Sequence, residues 1–177
     1  MLLPTVALLL LTQDAALTPH SKPEHTLAGI HVGEDSIATV IHHLGRPNKI
    51  EDHADLDGPV GRGDRSYYWF HGATTLRVDT HYASPDKIHP AHEGPVLTVD
   101  LFGDRAAGES ARTGRGLRIG AKLSHAHSLY GIATPSGETR LALQWPDGTR
   151  MTIDSDSGGR VTHIQITVAP AEDDDTF

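Results

Sequence analysis

The residues best equipped for chemistry are three histidines close together, His81, His89 and His92, in a stretch that also carries Asp86 and Glu93. Neutral imidazoles converging from one loop can hold Zn²⁺, Ni²⁺ or Cu²⁺, and a carboxylate can complete the set. Pro90 separates His89 from His92 and prevents a helix there. The segment 81–94 therefore reads as a loop, either a metal site built on His81, His89 and His92 or an exposed polar connection. The chain holds 13 histidines in all. His42-His43 and the pair His125 and His127 fall on expected helices, where such neighbours point apart and do not chelate. Several imidazoles on one exported protein would also serve as a pH sensor near pH 6.

Other chemistry finds little support. With no cysteine, thiolate catalysis, zinc–thiolate sites, disulfides and cysteine lipidation are excluded. No G-x-S-x-G elbow, H-E-x-x-H helix or phosphate loop occurs. Gly114-Arg115-Gly116-Leu117-Arg118-Ile119-Gly120 approximates G-x-G-x-x-G, but its last glycine falls one position late and no βαβ pattern follows. Arg62-Gly63-Asp64 is an integrin-type tripeptide in a glycine-rich loop, where such a string arises easily by chance. The expectation is a protein without enzymatic activity and without a cofactor, zinc at the histidine loop excepted. The rival is a histidine-dependent metal-binding protein or hydrolase acting outside the cytoplasm.

Recognition by contact is a second route to function. In Tyr67-Tyr68-Trp69-Phe70, alternate residues of a strand face opposite ways. One pair must line the core, and the other is exposed or covered by a partner. The expected contact residues are Tyr67, Tyr68 and Phe70, with Tyr82, His89 and His92 from the loop 81–94. Trp69 and Trp145 read as core anchors of equivalent strands.

The elements that would position these residues are written twice. Gly29-Ile30-His31-Val32-Gly33 opens one copy, and Gly116-Leu117-Arg118-Ile119-Gly120 the other. Each leads into a short helix: Ile37, Val40, Ile41 and Leu44 share one face, as do Leu123, Ala126, His127 and Tyr130. Asp35 or Ser36 can cap the first, and Gly45 and Gly131 can end them. Three alternating segments follow each helix. They are 67–70, 76–79 and 97–101 in the first copy, and 141–145, 151–154 and 164–168 in the second. The expected fold is α+β: two tandem repeats, each a short helical lead-in plus an antiparallel three-stranded meander. Repeat 1 spans 27–102 and repeat 2 spans 114–168, with linkers at 18–26 and 103–113. Segments 51–64 and 81–94 read as loops, and 169–177 as an acidic tail.

This order of a Gly-apolar-x-apolar-Gly opening, a short amphipathic helix, a glycine–proline stop and a β-meander resembles the SmpA/OmlA (BamE-like) envelope lipoprotein module. Two such modules in tandem resemble the β-lactamase inhibitory protein architecture. The resemblance implies helices packed on antiparallel sheets and a concave protein-binding face. The chain lacks the lipidated cysteine of the one and the cysteines of the other, and no inhibitory residue transfers by motif.

Composition bounds the rest. The 177 residues are 37% apolar and carry a formal net charge of −8. That acidity argues against nucleic-acid binding, which requires concentrated Lys and Arg. The apolar run Met1–Leu11 is too short to cross a bilayer as a helix. It fits the hydrophobic part of a secretory signal occupying 1–17, with small residues at Ala15 and Ala16. The expected setting is extracytoplasmic, periplasmic or secreted, and the expected partner is another protein.

Overall fold

The computed structural model describes residues 16–54, 63–82, 93–103, 111–132 and 138–169, with the backbone alone at 54, 63 and 82. Strands β1 (Thr26–Leu27) and β2 (Ile30–His31) make a small hairpin. Helix α1 (Ile37–Leu44) follows, then β3 (Lys49–Ala54), β4 (Gly63–His71), β5 (Thr74–Tyr82) and β6 (Val96–Gly103). Helix α2 (Leu123–Tyr130) precedes β7 (Arg140–Gln144), β8 (Arg150–Ser155) and β9 (Val161–Thr167).

Both helices are eight residues long and end as their sequences require. Ser36 accepts the Thr39 N–H at 3.2 Å, satisfying an amide with no partner inside α1. Gly45, at φ +80°, donates to the Ile41 carbonyl at 2.9 Å and closes the helix. Gly131, in the left-handed region, ends α2 in the same manner.

All seven longer strands belong to one antiparallel sheet, in the order β3-β4-β5-β6-β9-β8-β7. This overturns the expectation of an α+β protein made of two tandem repeats with helical lead-ins. The protein is mostly β, with two short helices laid on a single sheet. The reason lies at the centre. Strands β6 and β9, expected to end separate meanders, pair directly from Thr98↔Thr167 to Phe102↔His163.

What the halves share is local detail. Gly33 donates to the Val96 carbonyl and Gly120 to that of Val161, each at 2.7 Å. Register shifts fall at Asp79/Thr80 and at Asp154/Ser155. Trp69 and Trp145 are not equivalent in pairing. Trp69 faces Leu76 across its hairpin, whereas the residue facing Met151 is Leu143, and Trp145 borders the turn.

One face of the sheet is buried. Tyr67, Trp69, Leu76, Val78, Val99 and Leu101 join Leu141, Leu143, Met151, Ile153, Ile164 and Ile166 in a continuous core. Ile37 and Val40 of α1 and Leu123, Ala126 and Tyr130 of α2 complete it. The Trp69 indole N–H donates to the Gly45 carbonyl at 2.9 Å, which pins the end of α1 to the sheet.

Two stretches depart from the sequence reading. Lys49–Ala54, at the head of the expected loop 51–64, is an edge strand. Its sequence hides it, because an edge strand that is largely exposed needs no regular apolar alternation. The stretch 18–26, read as a linker, is docked. Leu17 pairs with Leu143 in parallel along the β7 edge. The Trp145 indole donates to the Ser21 carbonyl at 3.0 Å, and Glu24 accepts the Arg115 backbone N–H at 3.0 Å. Among the described residues, no helix is long and apolar enough to cross a membrane.

Candidate protein-binding face

The second face of the sheet is built from the polar alternates of the same strands, and register arranges them in three rungs. The first runs Glu51, Ser66, Asp79, Thr98, Thr167, Arg150, Gln144 from edge to edge. The second runs Lys49, Tyr68, Arg77, Asp100, Gln165, Thr152, Ala142. The third runs Phe70, Thr75, Phe102, His163, Asp154, Arg140.

Cations and rings interlock across the rungs. The Lys49 ammonium lies 5.5 Å from the Tyr68 ring centre, and the Arg77 guanidinium 5.9 Å from that of Phe102. Phe102 stacks on His163 at 4.9 Å, and Tyr68 and Phe70 are 6.3 Å apart. Phe70 is 50% exposed, among the most exposed large apolar side chains described.

A charged centre holds the rungs together. Asp100 is 1% exposed. The His163 imidazole bridges it to Asp154, with contacts of 2.9 and 2.8 Å. Burial alone would lower the pKa of His163, but the two carboxylates outweigh it and hold it above the usual histidine value. Arg77 lies 2.5 Å from the second Asp100 oxygen as an ion pair, without the alignment of a hydrogen bond, and 3.2 Å from Asp79.

Beside this centre a cleft of about 390 Å³ opens over β4, β5 and β6, with His53, Asp64, Ser66, Asp79 and Thr98 in its walls. Asp79 accepts the Ser66 hydroxyl at 2.7 Å. Burial raises the Asp79 carboxyl above the ordinary carboxylate range, with Ser66 and Arg77 opposing. Asp79 is shared between Ser66 and Arg77, so the acceptor that the cleft offers a cation is the exposed Asp64 carboxylate at its rim, beside His81.

The expected contact residues divide between the two faces. Tyr68 and Phe70 lie on the open face, Tyr68 donating to Glu51 at 2.6 Å. Tyr67 does not: it is 1% exposed and donates to Glu93 on the covered side. Burial, then Glu93, raises its pKa strongly. Tyr82 is placed by its backbone opposite Gly63, and its side chain lies outside the described residues. So do His89, His92, Asp86, the expected signal up to residue 15 and the acidic tail from residue 170.

Of the expected zinc ligands only His81 has a described side chain, and among the described residues no group of three or more His, Asp or Glu side chains could hold a metal. His81 contacts Asp64 at 3.0 Å at the rim of the open face. Glu93 points the opposite way. It accepts Arg65 at 2.8 Å, the Thr80 hydroxyl at 2.5 Å and the Tyr67 hydroxyl, and Arg65 also reaches Asp52.

His163, Asp100, Asp154, Arg77 and Phe102 were missed by sequence reasoning. Arg77, Asp100 and Asp154 sit at polar alternates of recognisable strands, and Phe102 and His163 lie one residue beyond such strands, so part of the face they share was legible. Their neighbourhood depends on the β6–β9 pairing, which no local pattern encodes. No family model, curated protein or solved structure matches this chain.

Proposed function

We propose that the chain is a non-enzymatic protein-binding module, acting outside the cytoplasm, that engages a partner with a basic surface through the open face of its sheet. What supports this reading is one observation: a sheet sealed on one side carries on the other an exposed phenylalanine beside a half-buried tyrosine and an acidic cleft. Aromatic anchors next to a polar, prearranged rim are the composition of interface centres. The Asp100–His163–Asp154 bridge and the Arg77 pair fix the side chains beforehand, which lowers the ordering cost of association. The partner is basic because the chain carries a net charge of −8 and its cleft offers the exposed Asp64 carboxylate. The extracytoplasmic setting rests on the apolar run Met1–Leu11 alone.

The test is retention of a partner from the extracytoplasmic fraction of the source cells on the immobilised protein. A partner held by wild type is expected to be lost at least about 10-fold with Phe70→Ala and with Asp64→Asn. It is expected to persist with Ile50→Ala, exposed at the edge on the opposite side. Equal retention by all three variants, or none by wild type, rejects the face. Association is also expected to slow as salt rises.

A further inference from the structure

The structure assigns a small-molecule site on the covered side of the sheet, away from the open face. Where the C-terminal end of α1 meets the β4–β5 turn, a cavity of about 380 Å³ remains. Leu44, Leu76 and Leu101 supply apolar wall, and His43, His71 and Thr74 supply polar atoms. This is within the size range of pockets that enclose small organic ligands.

The observation that points to an occupant is Thr74. It is 4% exposed, and its hydroxyl has no hydrogen-bond partner. Its backbone is fixed between His71 on one side and Gly103 on the other, so it cannot turn out to water by a small local shift. Gly103 packs closely against it and leaves no room for a side chain. A methyl group there would meet the Ala73 carbonyl at 2.8 Å and the Thr74 hydroxyl at 3.1 Å. Buried hydroxyls are generally hydrogen-bonded, and an isolated one within a cavity is unusual.

The lining chemistry selects the ligand. Thr74 offers an O–H, and the imidazoles of His43 and His71 offer N–H groups. No carboxylate stands among the described lining residues. The occupant that matches is a monocarboxylate with an apolar body: a medium-length alkyl chain or a single aromatic ring against the leucines, its carboxylate taken by Thr74 and the two histidines. Two imidazoles and a hydroxyl are too few for a closed metal site.

The test is calorimetric titration of the full chain with sodium octanoate and sodium benzoate, with NMR of leucine methyl groups in parallel. The expected result is one saturable site for at least one of them, with shifts at Leu44, Leu76 and Leu101. Thr74→Val removes the hydroxyl but keeps the shape, so it is expected to fold at least as well as wild type and to bind at least about 5-fold more weakly. His43→Ala with His71→Ala is expected to weaken binding further, and the uncharged octanamide to bind less tightly than octanoate. Absence of saturable binding overturns the site. So does binding that leaves these methyl groups unshifted or is unchanged in Thr74→Val. Tight Zn²⁺ binding lost in the double histidine variant, with no carboxylate binding, would replace the proposal with a metal site.

Discussion

At the scale of single residues, two buried charged centres govern opposite faces of the sheet. Behind it, Glu93 and Arg65 have side chains only 1% and 3% exposed. Their pairing is completed by Tyr67, Thr80 and Asp52, so each charge is satisfied. Removing Glu93 takes the buried counter-charge from Arg65, leaving it Asp52, and deprives the Tyr67 and Thr80 hydroxyls of their acceptor, so Glu93→Ala is expected to cost roughly 3–5 kcal/mol in denaturant unfolding. A loss below about 1 kcal/mol would show that the network is not maintained in solution. On the open face, the raised pKa of His163 has a definite sign. The folded state holds the imidazole proton more tightly than the unfolded chain does. The stabilisation is complete below the unfolded value of about 6.5 and is lost as pH rises through the folded value. The gap in guanidinium midpoint between wild type and His163→Gln is expected to be wider near pH 5.5 than near pH 8.5 (about 1.5 units either side of neutrality). A constant gap would mean that Asp100 and Asp154 do not hold the proton.

At the scale of elements, caps and faces were readable and partners were not. Ser36 was identifiable because a short hydroxyl before an apolar helix face has a definite hydrogen bond to make, and it accepts from Thr39. Ser36→Ala is expected to cost about 1 kcal/mol, measured by thermal or urea unfolding, whereas Ser124→Ala, exposed on α2, is expected to change little. Alternation likewise split the aromatics of β4 into two pairs, and the structure puts Tyr67 and Trp69 in and Tyr68 and Phe70 out. Tyr67 stood among the expected contact residues only because alternation does not say which pair faces the core. The edge strand β3 escaped because Lys-Ile-Glu-Asp-His-Ala carries charge where a central strand carries apolar groups. In the histidine loop, Glu93 turns inward to Arg65 rather than toward His81, while His89 and His92 lie outside the described residues.

At the scale of the whole molecule, the decisive event is the β6–β9 seam, which turns two expected units into one sheet. The matching glycines of the halves were visible in the sequence, but the seam is a long-range backbone pairing without a side-chain signature. The segment 16–25 binds the assembly together from outside the sheet. A chain starting at Ala16 is expected to keep its melting temperature. One starting at Thr26 loses the Leu17 pairing, the Ser21 acceptor and the Glu24 carboxylate, and is expected to melt at least about 5 °C lower by circular dichroism. Equal melting would show that the docked segment contributes nothing. The same pairing gives any cut near residue 17 a second meaning. A cut that spares Leu17 leaves β7 with a companion; a cut just after it bares the Ala142 carbonyl and the Gln144 amide. A sheet edge with unanswered groups is a template for another strand, so the later cut would favour edge-to-edge association between copies.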